Sequence, residues 1–159
     1  MLGVILAASL AAAAQSGDEM SRNVLVDVCL PFTAGEAIDG PLDFLGFVGP
    51  AQSEMIEDGE RRDLKTEDEN HLLRLTQSSG EESGDRRRTC VLQNRVADLA
   101  SVRAAVSGPL QQRGFVAEAD APPDRPVWNR EGVTISLRQP ANSATILRVS
   151  YSSLDAEGN

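Results

Sequence analysis

The apolar positions of this chain fall into short blocks whose spacing changes along its length. In residues 21–32, SRNVLVDVCLPF, the apolar side chains stand at 24, 25, 26, 28, 29, 30 and 32. Leu25, Val28, Cys29 and Phe32 share one helix stripe and Ser21 can cap it, which predicts a helix ending before Pro31. Valines at 24, 26 and 28 would also suit a strand. Thr33-Ala-Gly-Glu36 has the form of a capping box and predicts a short second helix, restarted at Gly40-Pro41 with proline at its first position. PLDFLGFV (41–48) then turns Leu42, Leu45 and Val48 toward a core, with Phe44 and Phe47 nearby, until Gly49-Pro50 ends the segment.

Residues 50–70 are charged, carry no clear apolar period and read as exposed loop. HLLRLTQ (71–77) and RRRTCVLQ (86–93) flank the polar stretch SSGEESGD, which predicts a β-hairpin with a long tip. In its second strand Cys90 and Leu92 point one way and Val91 the other. Leu99, Val102, Ala105, Val106 and Leu110 form a helical stripe over roughly 97–113. Asn94 or Asp98 would cap that helix, Pro109 would kink or split it, and Gly114 would end it. DAPPDRP (120–126) is a stiff linker. GVTISLRQ (132–139) and ATILRVSYSS (144–153), joined through PANS, alternate as strands do. Ile135 and Leu137 oppose Thr134, Ser136 and Arg138, and Leu147, Val149 and Tyr151 oppose Ile146, Arg148 and Ser150, so one face is buried and one is wet. Helices, two strands, a helix and two strands predict an α+β fold: a two-layer sandwich, helices packed on one face of a roughly four-stranded antiparallel sheet.

An apolar content of 41% is enough for one domain with a core, and an aromatic content of 4% means that aliphatic residues fill it. Residues 1–14, MLGVILAASLAAAA, are an apolar run rich in small residues and too short for a membrane span. Ala12-Ala13-Ala14 fits a signal-peptidase site, with Gln15 as the first mature residue, although the positive charge before the apolar run is only the amine of Met1. The expected organisation is a signal peptide (1–14), a flexible start (15–20), a single domain (21–153) and a disordered tail (154–159). The expected location is the periplasm or the extracellular space, with no stable membrane insertion after cleavage. The net charge of −9 repels phosphate backbones and anionic membranes, so nucleic acid is not an expected partner.

The chain has two cysteines, Cys29 and Cys90. In an oxidising compartment two buried thiols that meet will pair, and the expected Cys29–Cys90 disulfide closes a loop of about 60 residues, worth about 4 kcal/mol. The alternatives are inert buried thiols, a nucleophile activated by the lone His71, or metal ligation. The metal reading lacks a CxxC or a histidine pair, and the nucleophile reading lacks an orienting third group. An early helical cysteine, a second cysteine in a strand and a later helix running into Gly114-Phe115 give a layout that resembles small exported two-cysteine bacterial proteins of unknown function. That resemblance implies no activity.

Arg86, Arg87 and Arg88 are the densest positive cluster and a candidate anion or partner contact, because guanidinium groups bind carboxylate and phosphate bidentately. Their other reading is a solvated strand entrance balanced by Glu81, Glu82 and Asp85. Glu67, Asp68 and Glu69, with Glu57, Asp58 and Glu60, lack the ligand spacing of a calcium loop. Trp128 fits the edge of an aromatic-poor core better than a binding site. G-x-S-x-G, H-E-x-x-H, G-x-G-x-x-G and Walker patterns are absent from the sequence. No catalytic, cofactor or metal residue is assigned, and no cofactor is expected. The functional expectation is a non-enzymatic exported binding domain that contacts an unknown protein or envelope component through the wet sheet face or the 50–70 loop. The alternatives are a small periplasmic hydrolase using carboxylates near His71 and a carrier of a small ligand held between helices and sheet.

Overall fold

The computed structural model describes residues 15–80 and 84–158; the expected signal peptide at 1–14 lies outside the described residues, as do Glu81 and Glu82. One antiparallel sheet of nine strands organises the described chain. The strands are β1 (Phe47–Val48), β2 (Glu54–Ile56), β3 (Gly59–Thr66), β4 (His71–Ser79), β5 (Arg86–Asn94), β6 (Val116–Ala117), β7 (Val127–Arg130), β8 (Val133–Arg138) and β9 (Thr145–Ser152). Their spatial order is β1-β3-β4-β5-β9-β8-β7-β6, with β2 pairing the other half of β3. The expected two-layer sandwich on a roughly four-stranded sheet is thereby corrected. The two expected hairpins do exist, but β9 lies against β5 and fuses them, and five further strands extend both flanks.

The largest correction falls on residues 50–70, which form β2 and the whole of β3 in place of an exposed loop. Few apolar residues mark this hairpin because its charges are paired within the fold. Arg61 meets Glu54, Arg62 meets Asp39, and Asp63 meets Arg74 on β4. The short β7 was also unforeseen; it pairs with β8 through Glu131 and Gly132, both at positive φ (47° and 78°), which is the geometry of a tight hairpin turn.

Register explains the core. Leu64, Leu73, Leu92, Leu147 and Leu137 form one row across five strands, and Leu75, Cys90, Val149 and Ile135 form the next. All are buried. The helices are α1 (Gly17–Asn23), α2 (Leu30–Ala34), α3 (Asp39–Phe44), α4 (Leu99–Gln112) and α5 (Ser153–Glu157). A π-helical segment, Val24–Cys29, joins α1 to α2, so helical backbone runs past Pro31 and does not stop before it. The wider π turn makes room for the pyrrolidine ring, which would otherwise strike the carbonyl one α-turn back. Thr33 therefore ends a helix and does not open one, and Gly35 closes it in the left-handed region at φ 84°. α1 packs along α4, while the π segment and α2 lie against β5.

Asp98 caps α4 by accepting a hydrogen bond from the Ser101 amide at 2.8 Å. Asn94 plays a different part. It donates to Gly17 O (2.6 Å) and Ser21 Oγ (2.7 Å) and accepts from the Val96 and Ala97 amides. This one side chain ties α1 to the turn before α4. Val102, Val106 and Leu110 are buried, as the stripe predicts, and α4 continues through Pro109 to its end near Gly114, which has a φ of 78°. Two terminal expectations also change. Met20 is already buried in α1 within the stretch expected to be flexible, and α5 occupies most of the expected loose tail.

Candidate functional site

Alternation on the strands that bury the leucine rows turns a second set of side chains outward, and this open face is the candidate site. Two adjacent rows cross its centre. One reads Asp63, Arg74, Val91, Arg148 and Ser136, from β3 to β8; the other reads Lys65, Leu72, Gln93, Ile146 and Arg138. Leu72, Val91 and Ile146 are half-buried, while Arg74, Gln93, Arg138 and Arg148 are exposed. On β4, β5, β9 and β8 the charged residues with this orientation are Arg74, Arg87, Arg138 and Arg148, and no acid shares it.

These cations are not equivalent. Arg74 donates from Nε and Nη2 to the Asp63 carboxylate at 2.7 and 3.2 Å. Lys65 is paired with Glu69, and Arg87 donates to Asp85. Arg148 donates only to Ser150 Oγ at 3.0 Å, and neither it nor Arg138 has an acid within ion-pair distance among the described residues. Arg138 lies two residues beyond Ser136, which faces Arg148, so the two unpaired guanidinium groups are diagonal neighbours.

Beside them the face is concave. A trough of about 510 Å³ has Leu72 and Val91 on its floor, Lys65, Gln93 and the Asp63–Arg74 ion pair along its rim, and Val48, Gly49 and Pro50 as a wall. The wall stands close because residue 49 has no side chain: a Cβ there would lie 2.8 Å from the Asp63 carbonyl oxygen.

Cys29 and Cys90 form a disulfide, both fully buried, with Cα atoms 5.3 Å apart. It joins the end of the π segment to the centre of β5, behind the open face. The Arg86-Arg87-Arg88 triplet does not converge, because strand alternation divides it. Arg87 turns to the open face, while Arg88 donates to Thr33 O at 3.1 Å and holds the end of α2. Asp85 is buried and accepts from Arg87, Ser152 Oγ, Ser153 N and Oγ, and Leu154 N. The Arg87 guanidinium, helped by those donors, holds its carboxyl down to about 2.

His71 is buried at the start of β4. Burial pushes its imidazole below the ordinary range, partly opposed by the Asp68 carboxylate, and its Nε2 has no hydrogen-bond partner among the described residues. Asp68 accepts from Thr66 Oγ1 and from the Asn70 amide and side chain, which closes a turn. Lys65 occupies Glu69, and Glu67 is exposed, so Asp68, itself held in that turn, is the member of the acidic run that acts on His71. Trp128 is buried against the core. Among the described residues no three potential metal ligands cluster and no helix is long and apolar enough to cross a membrane. Sequence reasoning reached the wet face of β8 and β9 and the outward turn of Val91, but it did not single out Arg138 and Arg148, whose diagonal approach follows from the β8–β9 register, nor join them to Leu72 and Val91, which depends on β9 lying against β5. No family model matches this chain, and no curated protein or solved structure matches it.

Proposed function

We propose that the chain is an exported, non-enzymatic binding domain stapled by the Cys29–Cys90 disulfide, and that the open sheet face contacts an anionic partner. The observation that carries this reading is charge segregation. The chain has a net charge of −9, yet the charged side chains on the open face of its four central strands are all arginines. An uncovered patch of one sign steers partners of the other sign and selects against its own. Export is supported by the disulfide, which persists in oxidising compartments, and accords with a signal peptide at residues 1–14. Binding is favoured over hydrolysis because His71 is buried, Asp68 is bonded to Thr66 and Asn70, and Glu69 is paired with Lys65.

Two assays test the proposal. Purified protein is offered ester, peptide, phosphate and glycoside substrates, and no turnover is expected. Turnover that disappears on mutation of a single carboxylate would overturn the reading. Wild-type protein and the Arg138→Glu/Arg148→Glu variant are then used to capture partners from the envelope fraction of the producing cell. A partner retained by wild type, eluted by salt and lost in the variant supports it; identical retention by both moves the contact to another surface.

A further inference from the structure

Resting on the binding-domain reading, we infer that the trough and the Arg138–Arg148 pair together receive a short acidic segment of a partner protein, an apolar side chain entering the trough and carboxylates reaching the arginines. The face offers two unlike subsites at a fixed spacing. Leu72 and Val91 give an apolar floor, half-buried and recessed behind the Val48–Pro50 wall. Arg138 and Arg148 lack acidic partners among the described residues, so their charge is available to an incoming group. Arg148 is two strands across from Leu72 and one row along, or about 12 Å at the usual strand spacings. An extended chain covers that span in about three to four residues. The complementary ligand therefore has an apolar residue followed, about three to four positions on, by carboxylates that guanidinium groups hold bidentately.

Other polyanions fit less well. The central strands turn no aromatic side chain toward this face, so the stacking platform used by single-stranded nucleic acids is missing. An anionic bilayer would bring a flat headgroup layer to a recessed apolar floor and leave it empty. A peptide side chain can reach it.

The test uses the full mature chain and three probes: a capped hexapeptide Leu-Val-Ser-Glu-Glu-Glu, the same peptide with Gln in place of Glu, and phosphatidylglycerol vesicles. Binding is read by titration calorimetry at low salt, where surface charge is least screened. Saturable binding of the acidic peptide is expected. It should weaken about tenfold for the Gln peptide and for Arg138→Glu/Arg148→Glu, and again for Leu72→Ser, while vesicles show no saturable binding. Circular dichroism and the thermal midpoint verify folding, and the milder Arg148→Gln replaces any variant that does not fold. Equal binding of the Gln peptide, indifference to the arginine variants, preference for vesicles, or no saturable peptide binding overturns the inference. Retention of an envelope partner by the double arginine variant would sink it while leaving the binding-domain reading in place. Substrate turnover would remove that reading first.

Discussion

Opening the Cys29–Cys90 disulfide is the most informative perturbation of stability, because its magnitude can be worked from one number. The two residues are 61 positions apart. Cross-linking a loop of that length removes about 14 cal/mol/K of chain entropy from the unfolded state, which is about 4 kcal/mol at 25 °C. A domain of this size is stable by about 5–15 kcal/mol, so the cross-link supplies a large fraction of the total. Both cysteines are fully buried, and reductant must therefore act on the unfolded protein. The assay is urea unfolding of oxidised protein beside protein reduced in denaturant and refolded with thiols blocked from reoxidation. With a slope of about 2 kcal/mol per molar urea, the midpoint should fall by about 2 M. Cys29→Ala/Cys90→Ala also removes two buried sulfurs, and cavity formation should lower it by about a further 1 M. Midpoints within about 0.5 M for the oxidised and reduced forms would refute the entropic account and with it the description of the bridge as a staple.

Four shorter predictions concern the framework. Asn94→Ala strands the buried donors and acceptors that tie α1 to the turn before α4, and should cost about 2–3 kcal/mol in urea unfolding. Gly59→Ala should cost about 2–3 kcal/mol, because φ is 147° and a Cβ would lie 2.1 Å from the Gln77 carbonyl oxygen, which forces β3 and β4 apart. His71 binds its proton at lower pH in the folded protein than in the unfolded chain, where the ordinary value is 6.5. Stability should thus be complete above about pH 6.5 and decline below it, and in His71→Gln that limb should flatten in denaturation series at about pH 8 and about pH 5. The Asp85 carboxyl is depressed to about 2 from an ordinary 3.8, so its contribution is present above about pH 3.8 and lost as pH falls toward about 2. Asp85→Asn should remove that lower limb and raise amide exchange at Leu154, the residue whose N–H it accepts.

Legibility in the sequence followed the strength of local pattern. The hairpin of β4 and β5 was readable because Leu73 and Leu75 alternate with polar residues and a glycine-rich tip follows. The α4 stripe was readable because Val102, Val106 and Leu110 keep a helical period. β2 and β3 were not, because charges alternate with charges there and only pairing across the fold separates their faces. One cue lay in view: the glycine after Glu57-Asp58, which opens β3 opposite Ile56 with a φ of 147°, marks a tight hairpin. Pro31 misled because its usual effect assumes an α-helix, and the π segment just before it removes the clash.

The open face was hidden for a different reason. Arg138 and Arg148 become neighbours within the β8–β9 hairpin, but Arg74, Val91 and Leu72 join their face only because β9 lies against β5, an arrangement that no local window contains. The run at 86–88 drew notice because its arginines are adjacent, yet adjacency on a strand sends neighbours to opposite faces. Net charge is equally blind to the patch. A total of −9 describes the far field and argues against wrapping by nucleic acid, but it says nothing of a patch about 10 Å across, where screening isolates local charge from the rest of the surface. The acidic remainder strengthens the selectivity of that patch. On the proposed reading, an anionic segment would be drawn to the arginines and repelled elsewhere, so the acidic composition that disfavours an anionic partner overall would favour this one site for it.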